Sequence, residues 1–190
     1  KILNTPQYQP YLAVLKGFRN GAVYGAKIRF PHALVMTFLF RDGTIMEKMR
    51  LIFKLTYNHA KNLAFFVFLY KSMMLAQRQL RDGKEKSSDS FFAGLVGGYL
   101  IFGNDNSVNN QIVLYLLSRI TVGLAKWSVK KSVVPSPPPG KSFPIMAAAV
   151  WGVVMWLFRH DRDTLQGSLQ ASMQYLYNDS EVWSNVNNFL

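Results

Sequence analysis

Residues Tyr11–Phe40 read YLAVLKGFRNGAVYGAKIRFPHALVMTFLF. Three glycines, Gly17, Gly21 and Gly25, recur every four residues, so on a helix they fall nearly on one face. Ala13 extends the row by a turn, and Ala22 and Ala26 widen it. Two overlapping G-x-x-x-G units of this kind let a second backbone come close, which is how helices pack in lipid, where hydrophobicity alone does not join them. Lys16, Arg19, Lys27 and Arg29 lie in the same stretch, so their cations must snorkel to the headgroups, pair, or line a wet surface. Pro31 lacks an N–H and disfavours helix at Phe30, so a kink or break is expected there.

Composition carries the same reading to the rest of the chain. Only 17% of the 190 residues are charged, below the usual quarter, while the chain holds 14 Phe, 9 Tyr, 8 Met and 4 Trp. So much aromatic surface with so little charge suits a lipid environment. The net charge is +12, but the basic residues flank apolar runs instead of forming a block. That places them in loops at a membrane and speaks against a nucleic-acid partner. There is no Cys, so disulfides and thiolate metal sites are excluded. The chain starts at Lys1 and not Met, which leaves its true N-terminus open, and the polar KILNTPQYQP does not read as a cleavable signal. The C-terminal Asn188-Phe189-Leu190 is neither a peroxisomal address nor an ER retention signal.

The stripe and its continuation to Phe40 make one kinked span. Residues 44–54 mix Glu47, Lys48, Arg50 and Lys54 with Ile45, Met46, Met49, Leu51 and Ile52, which fits an interfacial helix or an extension of the next one. Asn62–Gln77 is the second span, and Lys71 is close enough to its end to snorkel. Phe91–Gly103 is a short third run with a further glycine group, Gly94, Gly97 and Gly98. The polar turn 104–110 has no Lys or Arg, so the third and fourth spans form a hairpin whose turn faces the non-cytoplasmic side. Gln111–Trp127 is the fourth span, interrupted by Arg119, which should face the bundle interior. Residues 128–142 are a basic, proline-rich linker. Phe143–Phe158 is a possible fifth span, and Thr164–Tyr177 is an amphipathic helix with Leu165, Leu169, Met173 and Leu176 on one face.

The expected fold is therefore all-α: a polytopic four-span helical bundle with glycine-mediated packing, a possible fifth span and a C-terminal amphipathic helix. Its divisions are a lead-in at 1–10, a membrane domain at 11–127, the linker at 128–142 and the remainder at 143–190.

Chemistry is thin. His32, His59 and His160 form no H-x-x-x-H or E-x-x-H pattern, and no metal or cofactor is expected. Asn58, His59 and Asn62 read as a headgroup-level cluster. No Ser lies in G-x-S-x-G, and no P-loop is present. Without a catalytic constellation the chain is not expected to be an enzyme. Arg119, Lys27 and Arg29 are the intramembrane polar residues to watch; Arg119 reads first as a buried arginine satisfied by a carboxylate or helix C-termini, and as a functional set the three would line a polar pathway.

The string LAVLKGFRNGAVYGAKIRFPHALVMTFLF, followed in order by FVFLYK, YLLSRI, AAVWGVVMWLF and SLQASMQYLYNDSEVW, closely resembles the peroxisomal membrane protein 4 family, from about Tyr11 to Leu190. That family joins a wider group with the preprotein translocase subunits of the mitochondrial inner membrane and amino-acid channels of plastid envelopes. The group's signature links an aromatic, an Arg, an acid and a small-residue–glycine element. Tyr70 stands eleven before Arg81 and Glu85 four after it, both at the expected spacing, and Ala93, Gly94 and Gly98 supply the glycine element. Three features depart from the pattern. The acid is Glu in place of Asp, Ala93 stands out of step at eight after Glu85, and Val67 occupies a small-residue position. Reading Asp89 as the acid nearly mends the second departure but spoils the spacing to Arg81.

The resemblance implies a four-span α-helical fold in the peroxisomal membrane and does not carry translocation with it. The expected role is a non-catalytic structural or accessory membrane protein, touching membrane lipids and other membrane subunits. The alternatives are an accessory subunit in the mitochondrial inner membrane and a small-solute or polypeptide channel component.

Overall fold

The computed structural model describes residues 5–184, among which all regular structure is helical. Residues 1–4 of the lead-in and the C-terminal tripeptide lie outside that range. A 3-10 turn at Pro6–Tyr8 leads into α1 (Gln9–Phe40). It is followed by α2 (Ile45–Gln79), α3 (Ser87–Gly97), α4 (Ser107–Lys130), α5 (Ser142–His160) and the short α6 (Gly167–Met173). The chain forms two compact units, one running to Thr121 and one starting at Val122.

The first unit is organised by an antiparallel pair. α1 has 32 residues and α2 has 35, so each is about 50 Å long at 1.5 Å per residue, well beyond a ~30 Å hydrocarbon core. α1 runs through Pro31 without ending. Pro31 sits on the exposed side of the helix, while Ala33 and Thr37 continue the buried row set by Gly17, Gly21 and Gly25. Packing along that row holds the helix together across the missing hydrogen bond.

Residues 45–54 are the first turns of α2 and not a separate interfacial helix. Thr44 caps them: its Oγ1 accepts from the Glu47 N–H at 3.3 Å, and the Thr44 N–H donates back to Glu47 Oε2 at 2.8 Å. This reciprocal box ends the α1–α2 turn and starts α2. The Glu47 carboxyl is held below its ordinary range, first by that backbone N–H and then by the Thr44 hydroxyl. Thr44→Ala is expected to fray the first turn at a cost of about 1 kcal/mol, read as faster amide exchange confined to residues 45–48.

α2 ends at a turn in which Asp82 and Gly83 both take positive φ, 51° and 86°. The Gly83 N–H bonds back to the Arg78 carbonyl at 2.9 Å. α3 then packs against α2 and passes into a π-turn at Gly98–Phe102, with Phe102 set 5.6 Å from Phe66, centroid to centroid. The polar segment 104–110 supplies the start of α4. Asn106 Oδ1 accepts from the Val108 and Asn109 N–H groups at 3.1 and 3.0 Å, and Asn109 is buried with its amide donating to the Asn104 carbonyl at 3.0 Å.

In the second unit Phe158 and Met173 are buried, and Phe158 meets the Tyr177 ring at 6.3 Å. The expected 164–177 helix is divided: α6 stops at Met173, and a π-turn covers Gln174–Asn178. Of its proposed apolar face only Met173 is buried; Leu169 and Leu176 are exposed. The proline-rich linker bends back, with Ser136 and Pro137 lining an apolar cavity of about 590 Å³ shared with Val122, Val129 and Phe143.

Among the described residues α4 and α5 are the two helices long and apolar enough to cross a membrane. None of α4's most apolar stretch is buried, and 6% of α5's is. Trp127, Trp151 and Trp156 are all exposed on them.

Candidate functional site

The seam between α1 and α2 is built from what the glycines lack. A Cβ on Gly21 would come within 2.9 Å of both Ala64 Cα and the Leu63 carbonyl oxygen, and one on Gly25 within 2.8 Å of Ala60 Cα. Those neighbours are backbone atoms, so the helices touch main chain to main chain. At Gly17 the neighbours are side chains: Lys71 Cδ at 2.6 Å and Val67 Cγ1 at 3.0 Å. The missing side chain there admits the Lys71 stem. Lys71 does not snorkel outward; its ammonium donates to the Ala13 carbonyl at 3.0 Å. Gln79 donates to the Tyr11 hydroxyl at 2.8 Å, and Phe18 meets Phe65 edge-on at 5.4 Å, closing that end of the pair. Beside the stripe lies an open cavity of about 460 Å³, lined in part by Lys16, Asn20, Tyr24 and Lys71.

Gly94 and Gly98 are placed differently from the stripe. A Cβ on either would meet nothing within 4 Å. The face of α3 turned to α2 carries Asp89, Ala93 and Gly97 instead, each buried and four residues apart. Gly97 makes the close approach, 3.1 Å to the Phe66 ring, and Phe66 in turn stacks on Tyr70 at 6.4 Å.

The head of that α3 face is a buried ion pair. Asp89 is 1% exposed and hydrogen-bonds Arg81 through Oδ1, while Oδ2 accepts from the Lys86 N–H at 2.8 Å. Gln77 donates to the Asp89 carbonyl at 3.4 Å. The carboxyl is held below its ordinary range, first by the Lys86 N–H and then by the Arg81 guanidinium. Glu85 is not the partner of Arg81. It lies 3.9 Å from Arg78, with both side chains more than half exposed, a pair of little energetic consequence. The physical reason is the turn after α2. Arg81 sits in the turn itself, directed back toward the first turn of α3, where Asp89 can use both a guanidinium and a free N–H of the helix start. The acid that pairs with Arg81 is therefore Asp89, eight residues after it.

Arg119 does not face an interior. It is exposed, with its guanidinium 4.9 Å above the ring of Tyr115, one turn earlier on the same helix. Lys27 is exposed. Arg29 is half-buried on the seam row, one turn beyond Gly25, and Arg29 Nε, Thr56 Oγ1 and His59 Nδ1 are buried atoms without a hydrogen-bond partner among the described residues. Arg29 Nη1 approaches His32 Nδ1 at 3.4 Å. Among the described residues no three His, Asp or Glu side chains come together as a metal site.

The stretch that carries the α1–α2 seam, the turn-borne Arg and the small-residue face of α3 matches a known family. Residues 9–118 match the Tim17/Tim22/Tim23/Pmp24 family. The chain belongs to this family. The match takes in α1, α2 and α3 and ends within α4, just before Arg119. Over 189 residues the chain is 52% identical to peroxisomal membrane protein 4 of Homo sapiens, covering 100% of this chain and 88% of that protein. It is also 52% identical to the Bos taurus protein of the same name over 188 residues, 99% of this chain and 88% of that one. No solved structure matches it. The chain is accordingly a membrane protein of the peroxisome, and its relatives are named for that location and not for a reaction.

Proposed function

We propose that the chain is a non-catalytic, four-span integral protein of the peroxisomal membrane that acts as a structural or accessory member of a membrane assembly. The first span lies within α1, the second is Asn62–Gln77 in α2, the third is Phe91–Gly103 over α3 and its π-turn, and the fourth is Gln111–Trp127 in α4. α5 is the candidate fifth. Small residues serve two surfaces in this reading: Gly17, Gly21 and Gly25 within the chain, and Gly94 with Gly98 toward another subunit, since a Cβ on either meets no described residue within 4 Å.

The observation that carries the reading is the uncovered state of α4 and α5, whose most apolar stretches are 0% and 6% buried. Apolar surface of that extent needs lipid or another subunit to cover it. A channel reading, with Arg119, Lys27 and Arg29 around a hydrated groove, draws less support, because Arg119 and Lys27 are exposed and Arg29 is held in the seam.

The test is gentle solubilisation of the native membrane, followed by native size and mass analysis. The chain is expected in a species well above its 21.7 kDa mass, with partner subunits retained. A monomer in mild detergent, together with solute flux through liposomes holding the chain alone, would sink the accessory role and favour the channel.

A further inference from the structure

Three side chains of the α1–α2 seam each carry a buried polar atom that has no hydrogen-bond partner among the described residues. Arg29 Nε, Thr56 Oγ1 and His59 Nδ1 are each buried. The register of the antiparallel pair brings them together. Gly21 meets Ala64 and Gly25 meets Ala60 and the His59 carbonyl, so one turn further along α1 Arg29 comes opposite Thr56 and His59. All three can donate to one centre: the guanidinium always, the hydroxyl by rotation, and the imidazole in its Nδ1-protonated tautomer.

The charge around this point is one-sided. α1 carries no Asp or Glu. The one acid of α2 is Glu47, which is engaged in the Thr44 cap. Between Lys27 and Lys61 there are seven lysines and arginines against Asp42 and Glu47. A half-buried guanidinium with an orphaned N–H and no ion pair among the described residues is costly unless an anion reaches it. Arginine's planar fork suits a tetrahedral oxyanion, and a hydroxyl and an imidazole N–H beside it complete a three-donor cradle.

The geometry points to a phosphoryl-binding site at Arg29, Thr56 and His59, filled by the headgroup phosphate of an anionic phospholipid. Lipid is the favoured source because the exposed Lys27, Lys54 and Lys61 flank these residues on a membrane-embedded helix pair, where anionic headgroups concentrate. The inference rests on membrane residence and not on the accessory role, so failure of one leaves the other standing.

The full chain in phosphatidylcholine nanodiscs provides the test, with phosphatidic acid doped into the bilayer in one arm and inorganic phosphate added to the buffer in the other. Thermal midpoints and native mass spectra of retained lipid are the readouts. Doping is expected to raise Tm and leave a phosphatidic acid bound, while inorganic phosphate does neither. Arg29→Gln and Thr56→Val should each weaken lipid retention about tenfold or more, with Lys130→Gln matching the unaltered chain. Thr56→Val keeps the charge and nearly the shape, so it decides the matter if Arg29→Gln does not fold. A Tm rise with inorganic phosphate that Thr56→Val abolishes would keep the oxyanion site and move its source to solution. No response to either probe, or full retention by both variants, overturns the site.

Discussion

Gly21→Leu is expected to open the α1–α2 pair. The first atom of the new side chain would lie 2.9 Å from Ala64 Cα and from the Leu63 carbonyl oxygen, and neither is a group that can swing away. The helices must separate, and every close contact along the row from Val14 to Thr37 loosens with them. Overpacking of a well-filled core ordinarily costs 1–3 kcal/mol, and a clash with backbone belongs at or above the top of that range, about 3 kcal/mol. Amide exchange in detergent should accelerate across 14–37 and 52–71, and the thermal midpoint should fall. Gly25→Leu should do the same, given Ala60 Cα at 2.8 Å, whereas Gly17→Leu is milder because it displaces the flexible end of Lys71. Gly94→Leu provides the contrast. It meets nothing within 4 Å, so the isolated chain should keep its midpoint while any assembly through that face is lost. Equal midpoints for Gly21→Leu and Gly94→Leu would show that the seam does not hold the pair.

The difference between these glycines marks how far the sequence could be read. Gly17, Gly21 and Gly25 stand out because a period of four survives any choice of helix boundary. Gly94 and Gly98 have the same period, yet α3 turns its other face to α2, and Asp89, Ala93 and Gly97 form an equally regular row one residue away. Spacing alone does not choose between two adjacent rows. The choice is made by Phe66, whose ring needs the space at Gly97, and by Asp89, which must reach Arg81. The polar residue heading the second row was the available signal. Helix starts follow a similar logic. Thr44-Ile45-Met46-Glu47 has the spacing of a capping box and foretells where α2 begins, which the mixed charge of 44–54 obscures. Pro31 misleads in the opposite direction, because a helix held over its whole length by a neighbour tolerates a proline on its outer side. The exclusion of charge by lipid points Arg119 inward. Its contact with Tyr115 on the same helix cannot be foreseen from an argument about depth alone. The Arg29–Thr56–His59 meeting is a property of the register between two helices and has no trace in either one taken singly.

Replacing Arg81 is expected to cost more than any change at Glu85, although both residues stand where a family signature would place them. Arg81→Gln leaves the Asp89 carboxylate buried at 1% exposure with the Lys86 N–H but without its cation. A buried charge stripped of its partner destabilises far more than the intact pair stabilises. The thermal midpoint should fall by several degrees, with exchange rising in the turn 80–86 and the first turn of α3. Glu85→Gln touches only an exposed contact of 3.9 Å to Arg78 and should stay within about 0.5 kcal/mol of the unaltered chain. Acid separates the two carboxylates again. Because folding lowers the Asp89 value, its contribution is fully present above the unfolded value of about 3.9 and is lost as pH falls through the folded value beneath it. Arg81→Gln removes one cause of that lowering, so its acid limb should be shallower and end at a higher pH, while Asp89→Asn should lack this limb. The double variant should be no worse than Arg81→Gln alone, since removing both charges leaves none stranded. If Glu85→Gln proves the more damaging, or if Asp89→Asn keeps the acid limb, then Arg81 is held by Glu85 and the turn after α2 is built otherwise than described.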